Sequence, residues 1–430
     1  MALSHQLDNL VGMADIYMVS HLGPEAISAV GTARALAMVI SIAMLVVTTG
    51  TFAMVAQAVG AGDARRASIA VKQSLTLVSL LSVALSLFGI ATARFGLESL
   101  SLSPEVVDLG VPYLRIYCLS MLVSPLGWTI TTALHGAGDT RTPLLLNIVA
   151  SLVKIAISYL LIYGHWGLPE LGVVGAAWGM VASRLCAAAA GLAILYSGRF
   201  ALKLLPGTSY RPDFDLVRRI ARVGLPSALQ GLFRNSSGVV FIKLVALTTA
   251  STTAVAAFSI GNQMERMLRH SSLAFGTAAT TLTGQSLGAG DAQRAEQSGW
   301  TTSLIGVLSL TVLGLPVIFF AHPIMASFTD APEVIQIGVY YLIAVAIAEP
   351  FMCLAVSTGG GLRGAGDTRP GFHYTVISQW LVRLPVAYLL AFPLGFDTNG
   401  LWASLVIYCV VQGFLTMFKF GKGEWKTRKL

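Results

Sequence analysis

Asp15 stands in the run NLVGMADIYMV, a carboxylate among apolar neighbours, two helical turns from Asp8. At that spacing, i and i+7, two side chains share one helix face. A carboxylate in a partly dry cavity can take up a proton while open to one side and release it to the other. The alternative is a static salt bridge. Lys154, in NIVASLVKIAISYLLIYG, is a cation that could complete such a pair. Opened by protonation or by an incoming cation, the pair would couple ion movement to another event; left closed, it would only satisfy two buried charges. Further on, NQMERMLRH sets Glu265 and Arg269 four residues apart, a spacing suited to an ion pair on one helix. With Arg234 of LQGLFRNSS, Arg266, and Arg383 of WLVRLPVAYLL, they are expected to form a charge network between helices. Glu349, ahead of Pro350 in AIAEPFMCL, is expected to line a cavity or to mark a kinked helix. Arg115 and Lys243 are also flanked by apolar residues, with Arg34 and Arg184 at the margin of this set of intramembrane charges. Tyr17 and Met18 beside Asp15, with Tyr159, Trp178, Met264 and Trp380, offer aromatic faces and pliable thioethers that suit organic cations, although such side chains more often pack helices.

These charges draw notice because of their surroundings. The chain has 430 residues, 55% of them hydrophobic and 11% charged, whereas soluble domains carry about 25% charged residues. Apolar runs of about 20 residues, enough to cross the hydrocarbon of a bilayer, recur throughout. Twelve helices are predicted, centred on 5–22, 28–56, 70–93, 108–133, 143–163, 172–196, 224–247, 254–286, 299–320, 336–359, 372–392 and 399–418. The net charge of +8 would suggest nucleic acid in a soluble chain. Here Lys and Arg collect in alternate loops, from Arg65 and Arg66 through 199–222 to 419–429, while the opposite loops hold Arg94. That asymmetry places both termini and the basic loops in the cytoplasm, in a plasma membrane that is the inner one if the cell is Gram-negative. No nucleic-acid partner is expected. Cys118, Cys186, Cys353 and Cys409 stand apart from one another and from His, which indicates neither a disulfide framework nor a metal site. The first residues lack a basic stretch and an AxA-like cleavage site, and are not read as a cleaved signal.

The six residues GAGDTR occur at Gly136 and again at Gly364, 228 residues later. AQAVGAGDARRA and GQSLGAGDAQRA align Asp63 with Asp291 at the same offset, and SPEVVDLGVPYL with APEVIQIGVYYL aligns Pro104 with Pro332. Three separated matches at one offset indicate a duplicated unit of six helices. The fold class predicted is an all-α polytopic membrane protein of two six-helix lobes, related by a pseudo-two-fold axis along the membrane normal. Boundaries are expected at 1–197 for the first lobe, 198–219 for a cytoplasmic linker, 220–418 for the second lobe and 419–430 for a basic tail. The GAGD segments follow no strand, so they read as tight turns with an N-capping Asp rather than phosphate loops.

Six plus six helices with VGAGD after the second and eighth, GAGDT after the fourth and tenth, and MADIYMVSHLG at the start resemble the multidrug and toxic compound extrusion (MATE) family over essentially the whole chain. The resemblance implies a secondary active exporter working by alternating access, with Asp15 matching a first-helix Asp implicated in cation coupling. Relatives with a cation site in the first lobe often carry Asn where Lys154 stands and Asp where Ser158 stands. Their loss here disfavours Na⁺ and favours H⁺ coupling through Asp15 and Lys154, leaving Ser158 as cavity lining. Arg234 falls near a functional Glu of some relatives, whose role cannot transfer to it. The resemblance further implies small organic substrates, cationic or amphipathic, a monomer in the bilayer, and no cofactor. A flippase for a lipid-linked saccharide, from the same wider group, is the runner-up. The chain contains no GxxxxGK[ST], HExxH or GxSxG pattern, so neither ATP hydrolysis nor another enzymatic activity is expected.

Overall fold

Apolar segments of this length must satisfy their backbone hydrogen bonds internally, and the chain does so as helix. The structure is a computed structural model that describes residues 7, 11, 12, 14, 15, 17–100, 102–198, 202–205, 207, 210 and 213–428, with no strand among them. Asp8, and Arg199, Arg211 and Lys429 of the basic segments, lie outside the described residues. The described positions of the leading span from 11 to 20 are helical. There follow α1 (Pro24–Ser41), a 3₁₀ turn and α2 (Leu45–Gly60), α3 (Ala64–Glu98), α4 (Pro104–Ser120), α5 (Ser124–Gly136), α6 (Arg141–Tyr163) and α7 (Val173–Ser197). The second half holds α8 (Phe214–Ala246), α9 (Ser251–Gly288), α10 (Ala292–Phe319), the short α11 (Ala321–Ala326) and α12 (Pro332–Gly364). It closes with α13 (Arg369–Thr375), a π-helical stretch Val376–Arg383, α14 (Leu384–Ala391) and α15 (Asp397–Gly421).

Seven segments among the described residues are long and apolar enough to cross a membrane unaided, and α4 with α5, bent by 44°, makes an eighth. The others are interrupted or polar for understandable reasons. α8 carries Arg218, Arg219, Arg222, Arg234 and Lys243, and α9 carries Glu265, Arg266 and Arg269. The span at 369–391 is broken into three pieces around the π-helical stretch. With the leading helix these make the twelve-span layout predicted.

The repeated GAGD segments do one mechanical task. Gly62, Gly138, Gly290 and Gly366 all have φ between 69° and 86°, where a side chain is strained. The N–H of the Asp that follows reaches back to the carbonyl five residues earlier, as Asp63 does to Ala58 and Asp291 to Ser286, closing the helix end. Three of those carboxylates then cap the next helix. Asp63 accepts from Arg66 N–H at 2.8 Å, Asp291 from Arg294 N–H at 2.8 Å, and Asp139 from the N–H groups of Arg141 and Thr142 at 3.0 Å. Asp367 departs from the predicted cap, and its carboxylate is turned to another partner described below.

Two compact units span 3–224 and 225–430, and the boundary falls within α8. The irregular part of the expected 198–219 linker is shorter than predicted, because α8 begins at Phe214. Asp213 caps it, accepting from the N–H of Asp215 at 3.0 Å. Charged residues at 215–222 lower hydropathy without breaking a helix, which is why the sequence pattern started this element ten residues late. The linker is tied to α3. Ser68 Oγ accepts from Leu205 N–H at 2.9 Å, Lys72 Nζ donates to Leu205 O at 2.9 Å, and Gln73 Oε1 accepts from Asp213 N–H at 3.0 Å. The expected tail, 419–430, is likewise docked where described: α15 runs to Gly421, Trp425 is fully buried and its indole N–H donates to Phe420 O at 2.8 Å.

Helices in the second unit approach closely where side chains vanish. A Cβ at Gly360 in α12 would lie 2.2 Å from the carbonyl oxygen of Gly276 in α9, and Thr280 Oγ1 donates to Gly360 O at 2.9 Å. Gly360→Ala must push these backbones apart, at a cost of about 1–3 kcal/mol. Gly238, in α8, has open space at its Cβ position. Thermal unfolding of the solubilised protein should therefore show a lowered midpoint for Gly360→Ala and no loss for Gly238→Ala.

Candidate functional site

In the first unit the leading helix brings Asp15 against α6 and α1. Its Oδ2 pairs with Lys154 of α6 and, at 2.7 Å, with Arg34 of α1. Asp15 is 2% exposed, and its Oδ1 is buried without a hydrogen-bond partner among the described residues. One carboxylate thus faces two cations and leaves one oxygen unused. Arg34 also lies against Tyr113, and the Lys154 ammonium feels the charge of Arg184, whose guanidinium sits 5.8 Å over the Trp128 ring. Pairing of Asp15 with Lys154 agrees with the sequence expectation. Arg34 enters as a full partner, a role masked by its position near the start of an apolar run.

Ser158 and Met18, expected to line a cavity, are both buried. Ser158 is fully buried on α6 and fills the gap left by Gly179 of α7, where an added Cβ would lie 2.1 Å from its hydroxyl. Met18 belongs to the apolar core, packed with Val19, Ala26 and Val30, while Tyr17 beside it is exposed and meets His21 edge-on at 4.9 Å.

The second unit holds a cavity of about 330 Å³ lined from α8, α9, α12, the loop at 365–368, α13, the π-helical stretch and α15. On its wall Arg269 pairs with Glu265 and reaches Glu349 Oε1 at 3.2 Å. Glu265 also accepts from the Tyr341 hydroxyl, and Ser272 Oγ donates to Glu349 Oε2 at 3.1 Å. The network predicted from Arg234, Glu265, Arg269 and Arg383 is therefore revised. Its members are Glu265, Arg269, Glu349 and Tyr341, because α12 delivers a carboxylate and a phenol from one face. Glu349 lies behind the cavity wall rather than on it. Arg234 faces the cavity with no ion pair among the described residues, and Arg383 is buried between aromatic faces, 3.9 Å over Phe241 and 4.8 Å over Tyr408. Trp380 donates to Phe233 O at 2.9 Å, a packing role.

Asp367 also lines this cavity, and its carboxylate pairs with Arg428 at 3.0 Å. Burial pushes its carboxyl above the ordinary carboxylate range, while the Arg428 guanidinium pulls the other way. Sequence reading placed Asp367 and Arg363 in a cytoplasmic turn. Only the different fate of Asp367 from Asp63, Asp139 and Asp291 marks it, and identity of the motif conceals that difference. Removing Arg269 strands the Glu349 carboxylate, so Arg269→Met should lower stability by about 3–5 kcal/mol. Adding Glu349→Gln should recover much of the loss in the same thermal unfolding assay; a purely additive pair would show the bridge to be uncoupled.

The MatE family model matches residues 1–160 and 226–389. A probable multidrug resistance protein NorM of Thermotoga maritima is 28% identical over 98% of this chain and 90% of its own length. One of the same name from Bradyrhizobium diazoefficiens is 30% identical, over 94% of this chain and 88% of that one. Among solved structures, a crystal structure of a MATE P26A mutant superposes with a TM-score of 0.91 at 21% identity, over 99% of this chain and 94% of the other. The twelve-span, two-lobe layout is thus that of a group of membrane transporters that are not enzymes, and the chain belongs to the MatE family.

Proposed function

We propose that this chain is a proton-coupled exporter of small amphipathic organic compounds, working as a monomer by alternating access in the plasma membrane. Both termini lie in the cytoplasm in this reading, which the distribution of Lys and Arg between alternate loops supports. Multidrug efflux is supported by the names of the NorM relatives. Of the two substrate chemistries expected, cationic and amphipathic, the second is the better supported, since arginines outnumber carboxylates on the wall of the second unit's cavity.

The observation that carries the coupling ion is the state of Asp15. Its Oδ2 is already shared by Lys154 and Arg34. A sodium ion would have to enter beside two fixed positive charges, with one carboxylate to offset all three. A proton needs no such room. It can bind the unused Oδ1, neutralise the carboxylate and loosen both ion pairs together, freeing the leading helix from α6 and α1. Loss of a partner leaves Lys154 and Arg34 repelling each other in poorly solvated surroundings, so the two protonation states favour different arrangements of the same helices.

Asp15→Asn should remove pH-gradient-driven efflux of an amphipathic dye from proteoliposomes while the protein still inserts and unfolds cooperatively. Wild-type efflux should collapse with a protonophore and be unchanged when sodium is replaced by choline. Efflux that follows a sodium gradient at equal pH, or that survives in Asp15→Asn, would sink the proton reading.

A further inference from the structure

The cavity of the second unit has more positive charge than its own carboxylates can match. Arg234 comes from α8, Arg266 and Arg269 from α9, and Arg363 from the last turn of α12. The two carboxylates on the wall are already engaged, Glu265 with Arg269 and Tyr341, Asp367 with Arg428. Arg269 is matched on both sides by Glu265 and Glu349. Arg266 donates to Gln263 Oε1 at 2.6 Å and has no carboxylate partner among the described residues. Arg234 and Arg363 have neither ion pair nor hydrogen bond among the described residues, and Arg234 is within electrostatic reach of both Arg269 and Arg363. Like charges gathered in a half-enclosed space repel, and each guanidinium there has lost part of its hydration.

We propose that this cavity is an anion site, which binds the phosphate group of an amphipathic compound between Arg234 and Arg363. This deepens the exporter reading by naming the substrate chemistry, and rests on it for the direction of transport. A guanidinium offers a planar fork of donors that fits phosphate oxygens, and such charge-assisted bonds are the stronger kind. Leu273, Met352 and Val356 on the same wall would take the apolar part of the molecule. A volume of about 330 Å³ is in the range that holds small organic ligands. The phosphate could be carried by a soluble compound or by a lipid headgroup; the chemistry of the site is the same for both.

Riboflavin and its 5′-phosphate, FMN, differ by one phosphate and both fluoresce, so they isolate the group in question. Titrated against the full chain in neutral detergent, FMN should bind at least about tenfold more tightly than riboflavin, the effect of one or more charge-assisted bonds. Inorganic phosphate should compete with FMN and leave riboflavin binding unchanged. Arg234→Gln and Arg363→Gln should each reduce FMN affinity about tenfold, whereas Arg234→Lys, which keeps the charge, should retain much of the preference. The unmutated competition by phosphate stands even if a variant fails to fold. Phosphatidic acid displacing FMN where phosphatidylcholine does not would assign the lipid as the source; FMN bound without such displacement would assign a soluble phosphate. Equal affinity for FMN and riboflavin, or no competition by phosphate, would overturn the proposal. These are equilibrium measurements, so such a failure leaves proton-driven efflux through Asp15 standing, and loss of that efflux leaves the FMN preference untouched.

Discussion

A charge inside a membrane protein must be paired, wetted or neutralised, since an insertion cost of about 3 kcal/mol attaches to each one left bare at mid-bilayer. Much of this chain's chemistry follows from how it meets that demand differently in its two units. In the first, one carboxylate is over-matched by Lys154 and Arg34. In the second, Arg269 is held by Glu265 and Glu349, and Arg383 is buried between the rings of Phe241 and Tyr408. Arg234 and Arg363, without an ion pair among the described residues, open instead on a cavity. Pairing makes a group structural, and incomplete pairing leaves it available. Asp15, with one oxygen engaged and one idle, stands between those cases.

The charges can be placed with such economy because the backbones around them come close. Gly179 brings α7 onto Ser158 of α6, in the helix that carries Lys154. Gly276 and Gly360 bring α9 onto α12, the two helices that share the Glu265, Arg269 and Glu349 network. Small residues permit close approach in a bilayer, where burial of apolar surface offers little drive for helix association. The ion pairs and the glycine contacts therefore support each other. Carboxylate and guanidinium reach across only because the helices touch, and part of the attraction that holds the helices together is ionic.

Sequence alone made much of this legible. Twelve spans, the 228-residue repeat and the turn chemistry of GAGD follow from hydropathy and local backbone rules, which act over a few residues. The pairing of Asp15 with Lys154 was legible too, because few isolated charges in the first half offer an alternative. What could not be read depends on helix rotation. Nothing in AIAEPFMCL says that Glu349 turns toward Arg269, or that Tyr341, eight residues earlier, faces Glu265. Ser158 and Met18 were expected to line a cavity, and their burial, Ser158 against Gly179 and Met18 in the apolar core with Val19, Ala26 and Val30, could not be read from the sequence either. Arg363, directly before GAGDTR, read as a loop residue; α12 extends one turn further and carries it to the cavity wall.

The repeat explains why turns survived where charges did not. At an offset of 228, Asp15 corresponds to Lys243, Arg34 to Asn262, Met121 to Glu349 and His135 to Arg363. A turn at positive φ closing one helix before the next admits few residue types, so all four GAGD segments keep glycine and Asp. A charge is constrained only by its neighbours, and when both sides of a pair change together the backbone need not move. Asp367 shows the limit of this freedom. It retains the motif and the backbone bond to Leu362, yet its carboxylate has left the capping role for Arg428. The docked segment that carries Arg428 also buries Trp425 and pairs Lys426 with Glu296 at 2.6 Å. The same tail that braces the second unit therefore also holds one of the two carboxylates on its cavity wall.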